Sequence, residues 1–151
     1  MKSIANLTIT WIKPEIVSEE WEFTTHPAKQ DYYHRHGITW EAIRTSFDNG
    51  ILTSWPRGGE IAGVPVTGSH HSYDDYARYL SRAKRNYRIN YSRMEEDLQR
   101  SGSLTLPAPI VLSCSGEALL FAGWRRLCLA WNYGMVPAVW LVPVAENIRC
   151  G

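Results

Sequence analysis

Residues 109–142 read PIVLSCSGEALLFAGWRRLCLAWNYGMVPAVWLV, and this stretch decides the fold. Short apolar runs separated by turn residues fill its first part, a segment with helical spacing follows, and a β-branched run ends it. The pattern predicts a strand, a turn, a second strand, a helix and a third strand.

The helix in this stretch is expected to begin just after Gly123 and to end at Gly134. Glycine suits the left-handed position that closes many helices, and Pro137 cannot continue one. Leu127 and Trp131 then lie on one apolar face of the helix.

Arg125 and Arg126 fall in the first turn of this helix, where the macrodipole disfavours positive charge. Two cations make sense there if an anion docks on the exposed backbone N–H groups and the guanidinium groups close over it. The spacing therefore indicates a phosphate site. The alternative is that both side chains point into water or pair with nearby acids, and spacing does not separate the two readings.

The order and spacing of several motifs resemble the ParB/sulfiredoxin-like superfamily over residues 94–142. In that family a short helix and a glycine precede a Pro-Ile strand. A second strand then leads into Gly-x-Arg-Arg or Gly-x-His-Arg at a helix start, and a turn with Gly and Val-Pro leads into the next strand. The matching segments here are residues 94–102, Pro109-Ile110-Val111, Gly116-Glu117, residues 122–127, Gly134 and residues 136–139.

The resemblance implies a compact α+β domain with a small mixed sheet and flanking helices, which holds a nucleoside triphosphate, ATP or CTP, with Mg²⁺. Members of the superfamily include CTP-hydrolysing partition proteins, small-molecule kinases, sulfiredoxins and nucleases, and stand-alone members often travel on phages and plasmids. Residue by residue, the resemblance implies that Gly123, Trp124, Arg125 and Arg126 bind the nucleotide.

The chain departs from the family pattern at two positions. Trp124 stands where sulfiredoxins have their reactive Cys and where partition proteins usually have Glu. Ala122 stands where the kinase branch has an acid. Sulfiredoxin chemistry is therefore not expected, and the catalytic acid must come from elsewhere in the chain.

An early strand is predicted over residues 7–12, because apolar and polar residues alternate there before Pro14. Glutamates follow this strand, and in the kinase branch of the family an early glutamate serves as base. The resemblance makes Glu15 and Glu19 the candidate catalytic residues, provided that this strand neighbours the one before Gly123. The alternative is a solvated acidic turn, and the residues that would hold a metal are left open.

The chain has 151 residues, an apolar content of 44% and a formal net charge of +1. This composition predicts one folded domain over residues 1–151 and gives no overall attraction to nucleic acid or membranes. Three cysteines without paired spacing indicate neither a disulfide framework nor a metal signature, and no membrane-length apolar run is visible. We therefore expect a soluble, cytoplasmic protein. The sequence does not indicate its oligomeric state.

Residues 26–37 are rich in histidine and tyrosine. On a strand, His34 and His36 would present two imidazoles to one metal, but a third ligand with convincing spacing is missing, so a polar surface loop is favoured. A short helix with Thr39 as its N-cap is expected next, and Asn49-Gly50 would end it.

Residues 54–71 are rich in glycine and proline, and a loop of this length in a compact domain is usually functional or disordered. We interpret this glycine-rich loop as a mobile flap beside the active site. The alternative is a small hairpin, with Ile61, Val64 and Val66, that only packs.

Residues 72–101 give the longest helical signal, and their first part is strongly basic. Residues 77–93 contain six basic residues and no acid, with tyrosines interleaved. Such a stripe neutralises phosphates, while tyrosines stack on unpaired bases. The alternative is a solvated helix whose arginines pair with the acids at positions 95–97. The candidate nucleic-acid-binding residues are Arg78, Arg82, Arg85 and Arg88.

Three functional hypotheses result. The favoured one is a nucleotide-dependent phosphotransferase or NTPase that uses the turn after Gly123. The second is a DNA-binding module or nuclease that uses the basic helix. The third is a catalytically inactive inhibitor or adaptor that keeps the fold and binds a partner.

Overall fold

The computed structural model describes residues 6–25, 27–35, 37–55, 60–61, 64–67, 85–114 and 117–144. The strands are β1 (Thr8–Ile12), β2 (Ile51–Ser54), β3 (Glu60–Ile61), β4 (Val64–Thr67), β5 (Ser103–Pro107), β6 (Ile110–Cys114), β7 (Glu117–Ala122) and β8 (Ala138–Pro143). The helices are α1 (Val17–Thr25), α2 (Pro27–Arg35), α3 (Trp40–Ser46), α4 (Arg85–Ser101) and α5 (Trp124–Asn132), and a 3₁₀ turn (Phe47–Asn49) follows α3.

The strands form a mixed sheet in the order β2-β8-β6-β7-β4-β3. Strand β8 runs parallel to β6 and antiparallel to β2, while β7 runs antiparallel to β6 and parallel to β4. Strands β1 and β5 pair in parallel as a separate two-stranded sheet. The predicted α+β class is confirmed.

The central strands β6, β7 and β8 separate two apolar cores. Successive side chains of a strand point to opposite faces, so Ile110 and Leu112 enter one core while Val111 enters the other. Helices α1 to α3 cover the first core through residues such as Phe23 and Ile43. Helices α4 and α5 cover the second core. Burial on both faces explains why these strands read as continuous apolar runs.

The predicted succession of strand, strand, helix and strand after residue 109 is confirmed by β6, β7, α5 and β8. Helix α5 ends as expected, because Gly134 adopts the left-handed conformation at φ +70°. The N–H of Gly134 donates to the carbonyl of Trp131 at 3.1 Å, and the N–H of Met135 donates to Ala130 at 2.9 Å. These bonds satisfy carbonyl groups that the last helical turn leaves open.

The short helix after residue 38 is also confirmed. Thr39 is the N-cap of α3, and its hydroxyl oxygen accepts from the N–H of Ala42 at 3.2 Å. The cap satisfies one of the N–H groups that the start of a helix leaves without an intrahelical acceptor.

The structure corrects two predictions about irregular segments. The favoured surface loop over residues 26–37 contains helix α2, which places Tyr33 in the first core, where its hydroxyl donates to the carbonyl of Leu120 at 2.7 Å. The glycine-rich segment over residues 54–71 contains β3 and β4, which form the hairpin that was the alternative prediction. The parts of this segment that would form a flap lie outside the described residues.

A third correction concerns β1. The early glutamates were expected to reach Gly123 if this strand lay beside the one preceding that glycine, which is β7. Instead β1 pairs with β5 in parallel, with Trp11 opposite Leu106. Within the described part of the chain, no helix combines the length and apolar character that crossing a bilayer requires.

Candidate functional site

The turn between β7 and α5 depends on the absence of a side chain at Gly123. Gly123 is the N-cap of α5 and has φ +108° and ψ +24°. A Cβ atom at this position would lie 2.5 Å from the Cβ of Pro109, which is far closer than carbon atoms approach in proteins. The backbone of the turn therefore packs directly on the segment between β5 and β6. Only glycine combines this conformation with this contact.

Helix α5 begins at Trp124, and its first intrahelical bond joins the N–H of Leu127 to the carbonyl of Gly123 at 3.1 Å. The N–H groups of the first turn have no acceptor within a helix and carry the positive end of its dipole. Such N–H groups favour an anionic group that approaches the turn. Arg125 and Arg126 project from the same turn.

Arg126 is held in place by a backbone group. Its Nη1 donates to the carbonyl oxygen of Pro107, the last residue of β5. Burial lowers the pKa of Arg126, the negative charge of Glu19 opposes this shift, and the positive charge of Arg125 adds to it. Arg126 is thus a partly desolvated cation whose electrostatic neighbours are one acid and one further cation.

Glu19 comes to this site from α1. Its own N–H donates to the carbonyl of Ile16 at 3.0 Å in the first turn of α1. The Oε1 atom of Glu19 is shielded from solvent, and so is the Nη1 atom of Arg125. The charges of Glu19 and Arg125 therefore both act on Arg126, although the sequence predicted these residues from two distant parts of the chain.

Two of the three side chains are cations and one is an anion, and Arg126 feels the charge of both others. Cations at the start of a helix add to the positive end of its dipole. A positively charged helix start is a favourable place for an anionic group.

The glutamate next in sequence is engaged elsewhere. Glu20 Oε2 accepts a hydrogen bond from Trp40 Nε1 at 2.9 Å, which joins α1 to α3. Its charge also acts on Arg44, whose pKa is raised first by a hydrogen bond to Glu41. Glu19 and Glu20 therefore face different surroundings, and Glu20 is a natural control for experiments on Glu19.

The other predicted site residues are dispersed. Glu15 is exposed in the connection between β1 and α1. Arg85 and Arg88 belong to α4, where Arg88 is exposed, while Arg78 and Arg82 lie outside the described residues. Trp124 is the first residue of α5, and the role predicted for its side chain stays a prediction. Among the described residues, no three acidic, histidine or cysteine side chains form a metal-binding group.

Sequence reasoning missed two features of the site. The first is the carbonyl of Pro107, which holds Arg126, and nothing in the local sequence identifies it because backbone acceptors occur at every residue. The second is a polar contact between α4 and the end of α5. Gln99 Nε2 donates to the hydroxyl of Tyr133 at 2.7 Å, and this hydroxyl donates to Glu95 Oε2 at 3.0 Å.

A neighbouring hydrogen bond strengthens the same helix contact. Asn132 Nδ2 donates to the hydroxyl of Tyr91 at 2.6 Å. Burial raises the pKa of Tyr91 above its ordinary value, so its hydroxyl remains protonated to higher pH than that of an exposed tyrosine. Helices α4 and α5 are thus joined by polar bonds as well as by the second apolar core.

Comparison of the chain with protein-family models, with curated proteins and with solved structures finds no match. The candidate site therefore rests on its own geometry and on the resemblance of its motifs.

Proposed function

We propose that the turn after Gly123 binds the phosphates of a nucleoside triphosphate, and that the protein is an NTPase or phosphotransferase of the ParB/sulfiredoxin-like type. The observation that carries the proposal is the pair of arginines in the first turn of α5, with Arg126 bonded to the carbonyl of Pro107 and the charge of Glu19 acting on it. Two partly buried cations beside helix N–H groups suit a compact polyanion, and a carboxylate beside them suits proton transfer.

Each group has a distinct task in this proposal. Arg126, fixed by the Pro107 carbonyl, gives the phosphate a guanidinium in a set position. Arg125 completes the grip from the same turn. Glu19 accepts the proton of the attacking hydroxyl or water. Mg²⁺, when bound with the nucleotide, would neutralise charge on the phosphates. Catalysis then consists of positioning and electrostatic stabilisation of the transferred phosphoryl group.

The residues at the site are compatible with Mg²⁺. In nucleotide enzymes this ion is usually held by one or two carboxylates together with the substrate phosphates, rather than by a complete cage of protein ligands. Because Glu19 is proposed as the base, the substrate phosphates and water would hold most of the ion's coordination sphere here. The phosphoryl acceptor, whether water or a metabolite, is not assigned.

Calorimetric titration tests the proposal. ATP, CTP and GTP are titrated with Mg²⁺ into the wild type, into Arg125→Gln, and into Arg35→Gln, which removes one exposed arginine from α2 and matches the charge change. We expect one nucleotide to bind, and Arg125→Gln to weaken it at least about 10-fold, as losing a charged hydrogen bond does. Binding by none of the three nucleotides contradicts the proposal and favours the inactive adaptor.

A turnover assay tests the role of Glu19 separately. Glu19→Gln should keep nucleotide binding and lower phosphate release or transfer by about 100-fold or more, the usual contribution of a general base. Glu20→Gln should turn over nucleotide at the rate of the wild type, because the side chain of Glu20 accepts a hydrogen bond from Trp40 rather than facing Arg126. Equal turnover in Glu19→Gln and wild type removes Glu19 from the chemistry and leaves it as a counter-ion of Arg126.

A further inference from the structure

Helix α4 has one face fixed against the body of the protein. Leu98 and Tyr91 are buried in the second core, and Met94 packs against it. The hydroxyl of Tyr91 is bound by Asn132 of α5. These contacts determine which face of α4 is turned outward.

The outward face of α4 borders a shallow, open groove of about 370 Å³. Its described lining consists of Arg88, Ile89, Ser92, Arg93 and Glu96. Because successive helical residues are rotated by about 100°, Arg88 and Arg93 flank this face on its two sides, and Ser92, Ile89 and, one turn further along, Glu96 lie between them. Both arginines, Ser92 and Ile89 are exposed.

We propose that this groove is a docking surface for the sugar-phosphate backbone of duplex DNA. This surface is separate from the nucleotide site that we propose on α5. The groove offers two guanidinium groups and a hydroxyl, which are the side-chain types that most often contact phosphate oxygens in protein–DNA complexes. A phosphate chain that lies along the face would be held from both sides by Arg88 and Arg93.

The charge of the segment favours a long polyanion over an acidic peptide. Residues 77–93 contain six basic residues, of which five are arginine, and no acid; those at positions 78, 82 and 84 lie outside the described residues. Six cations in sequence without an intervening acid suit a ligand with many negative charges more than a single carboxylate. Glu96 marks the end of the surface, because its carboxylate repels phosphates.

Among the tyrosines of α4, the structure describes the side chain of Tyr91, and its burial is the observation that favours duplex over single-stranded nucleic acid. Single-strand binding surfaces use exposed aromatic rings on which bases stack. Tyr91 is 7% exposed and faces α5, so it provides no such platform. The stacking role that the sequence suggested for tyrosines of this helix does not apply to Tyr91, and contacts of the backbone-neutralising kind remain.

The test measures fluorescence anisotropy of a labelled mixed-sequence duplex of about 20 to 30 base pairs, at NaCl concentrations from about 50 to 200 mM. It compares the wild type with Arg88→Ala/Arg93→Ala. The matched control is Arg35→Ala/Arg44→Ala, which removes two exposed arginines from α2 and α3, outside the groove, and changes the net charge equally. Because all four residues are exposed, we expect each variant to keep the circular dichroism spectrum of the wild type.

We expect salt-dependent binding by the wild type, with Kd weakened at least about 10-fold in the groove variant and its log–log salt slope reduced by about 2. The control should bind within about 3-fold of the wild type, since its arginines lie away from the surface. Three results would overturn the proposal: equal binding by the groove variant, equal loss in the control, or tighter binding of a single strand of the same length. Displacement of the duplex by poly-glutamate at matched charge would instead identify an acidic protein as the occupant.

This test is independent of the nucleotide proposal. The groove variant should still bind the nucleotide that the wild type binds, because Arg125 and Arg126 are unchanged in it. If the groove variant loses DNA binding and keeps nucleotide binding, both proposals are supported. If the wild type binds no nucleotide, the nucleotide proposal fails and the DNA titration still tests the groove.

Discussion

Two pairs of arginines on neighbouring helices have opposite surroundings. Arg125 and Arg126 lie at the start of α5, where they are partly buried, one is bonded to a carbonyl group and a carboxylate lies near. Arg88 and Arg93 lie on the outward face of α4 and are exposed. The same side chain is therefore partly buried in one region and exposed to solvent in the other.

The difference in burial between the two pairs indicates which kind of anion each pair is suited to bind. A partly desolvated, tethered guanidinium has already lost hydration, so a compact anion gains strong and directional bonds there. An exposed guanidinium keeps its hydration and is screened by salt, so it contributes mainly when several act together on a polyanion. We therefore assign a nucleotide to the first pair and a nucleic-acid backbone to the second.

The largest expected effect comes from changing the backbone of the turn that precedes Arg125 and Arg126. Gly123→Ala introduces both a left-handed alanine and a contact with Pro109, and we expect a loss of unfolding free energy of about 3 kcal/mol or more. Gly134→Ala also places alanine at positive φ, but at an exposed position, so we expect about 1 to 2 kcal/mol. Urea unfolding measures both, and equal losses would show that the Pro109 contact is unimportant.

The next effect compares one arginine from each pair. Arg126→Ala removes the bond to the Pro107 carbonyl from a partly buried site, and we expect a loss of about 2 kcal/mol. Arg88→Ala changes an exposed side chain, and we expect a change within about 0.5 kcal/mol. Both changes in unfolding free energy are calculated from the midpoints of urea unfolding, with the same dependence on urea concentration for the two variants. Similar losses in the two variants would remove the distinction on which the comparison rests.

A smaller expected effect concerns the buried thiol of Cys128 in α5 and shows how well this helix excludes solvent. Burial raises the pKa of the Cys128 thiol to about 12, so the folded protein keeps this thiol protonated at a pH where the unfolded chain ionises it. The stability that comes from this shift is fully present below the pKa of Cys128 in the unfolded chain. It is lost as the pH rises from that value towards the pKa of the folded state. We expect the wild type to lose about 1 kcal/mol between pH 7 and 9 from this group.

The control for this prediction is Cys128→Ala, in which the same pH interval should produce a loss about 1 kcal/mol smaller. Urea unfolding at the two pH values provides the measurement. An identical pH dependence in both proteins would mean that Cys128 is accessible to solvent in the folded state and that α5 opens readily.

The smallest effect concerns salt. Raising NaCl from about 50 to 200 mM should weaken nucleotide binding only a few-fold, since partly buried charges are screened less than exposed ones. The same change should weaken duplex binding by about 10-fold or more, because several counterions are released. Parallel titrations at the two salt concentrations check this difference, and matching salt dependences would argue that both ligands use exposed charge.

The C-terminal part of the fold could be predicted because its signals are local. The apolar runs of β6, β7 and β8 reflect burial on both faces, and Gly123 and Gly134 occupy backbone conformations that favour glycine. The position of Arg125 and Arg126 in the first helical turn also resulted from local spacing.

The remainder of the site could not be predicted, because it depends on tertiary placement. Glu19 reaches Arg126 through α1, although β1 pairs with β5 rather than with β7. Helix α2 escaped prediction because its sequence is mainly polar and contributes Tyr33 to the core without a broad apolar stripe. The sequence also could not show that Tyr91 faces inward, since this depends on its bond to Asn132.

The most direct test of the account is a crossed titration of two ligands into two variants. The nucleotide that binds the wild type and the DNA duplex are each titrated into Arg125→Gln and into Arg88→Ala/Arg93→Ala. The account predicts that Arg125→Gln loses the nucleotide and keeps the duplex, while the α4 variant loses the duplex and keeps the nucleotide. If either variant loses both ligands to the same extent, or if Arg125→Gln binds nucleotide like the wild type, the assignment of separate ligands to the two arginine pairs is contradicted.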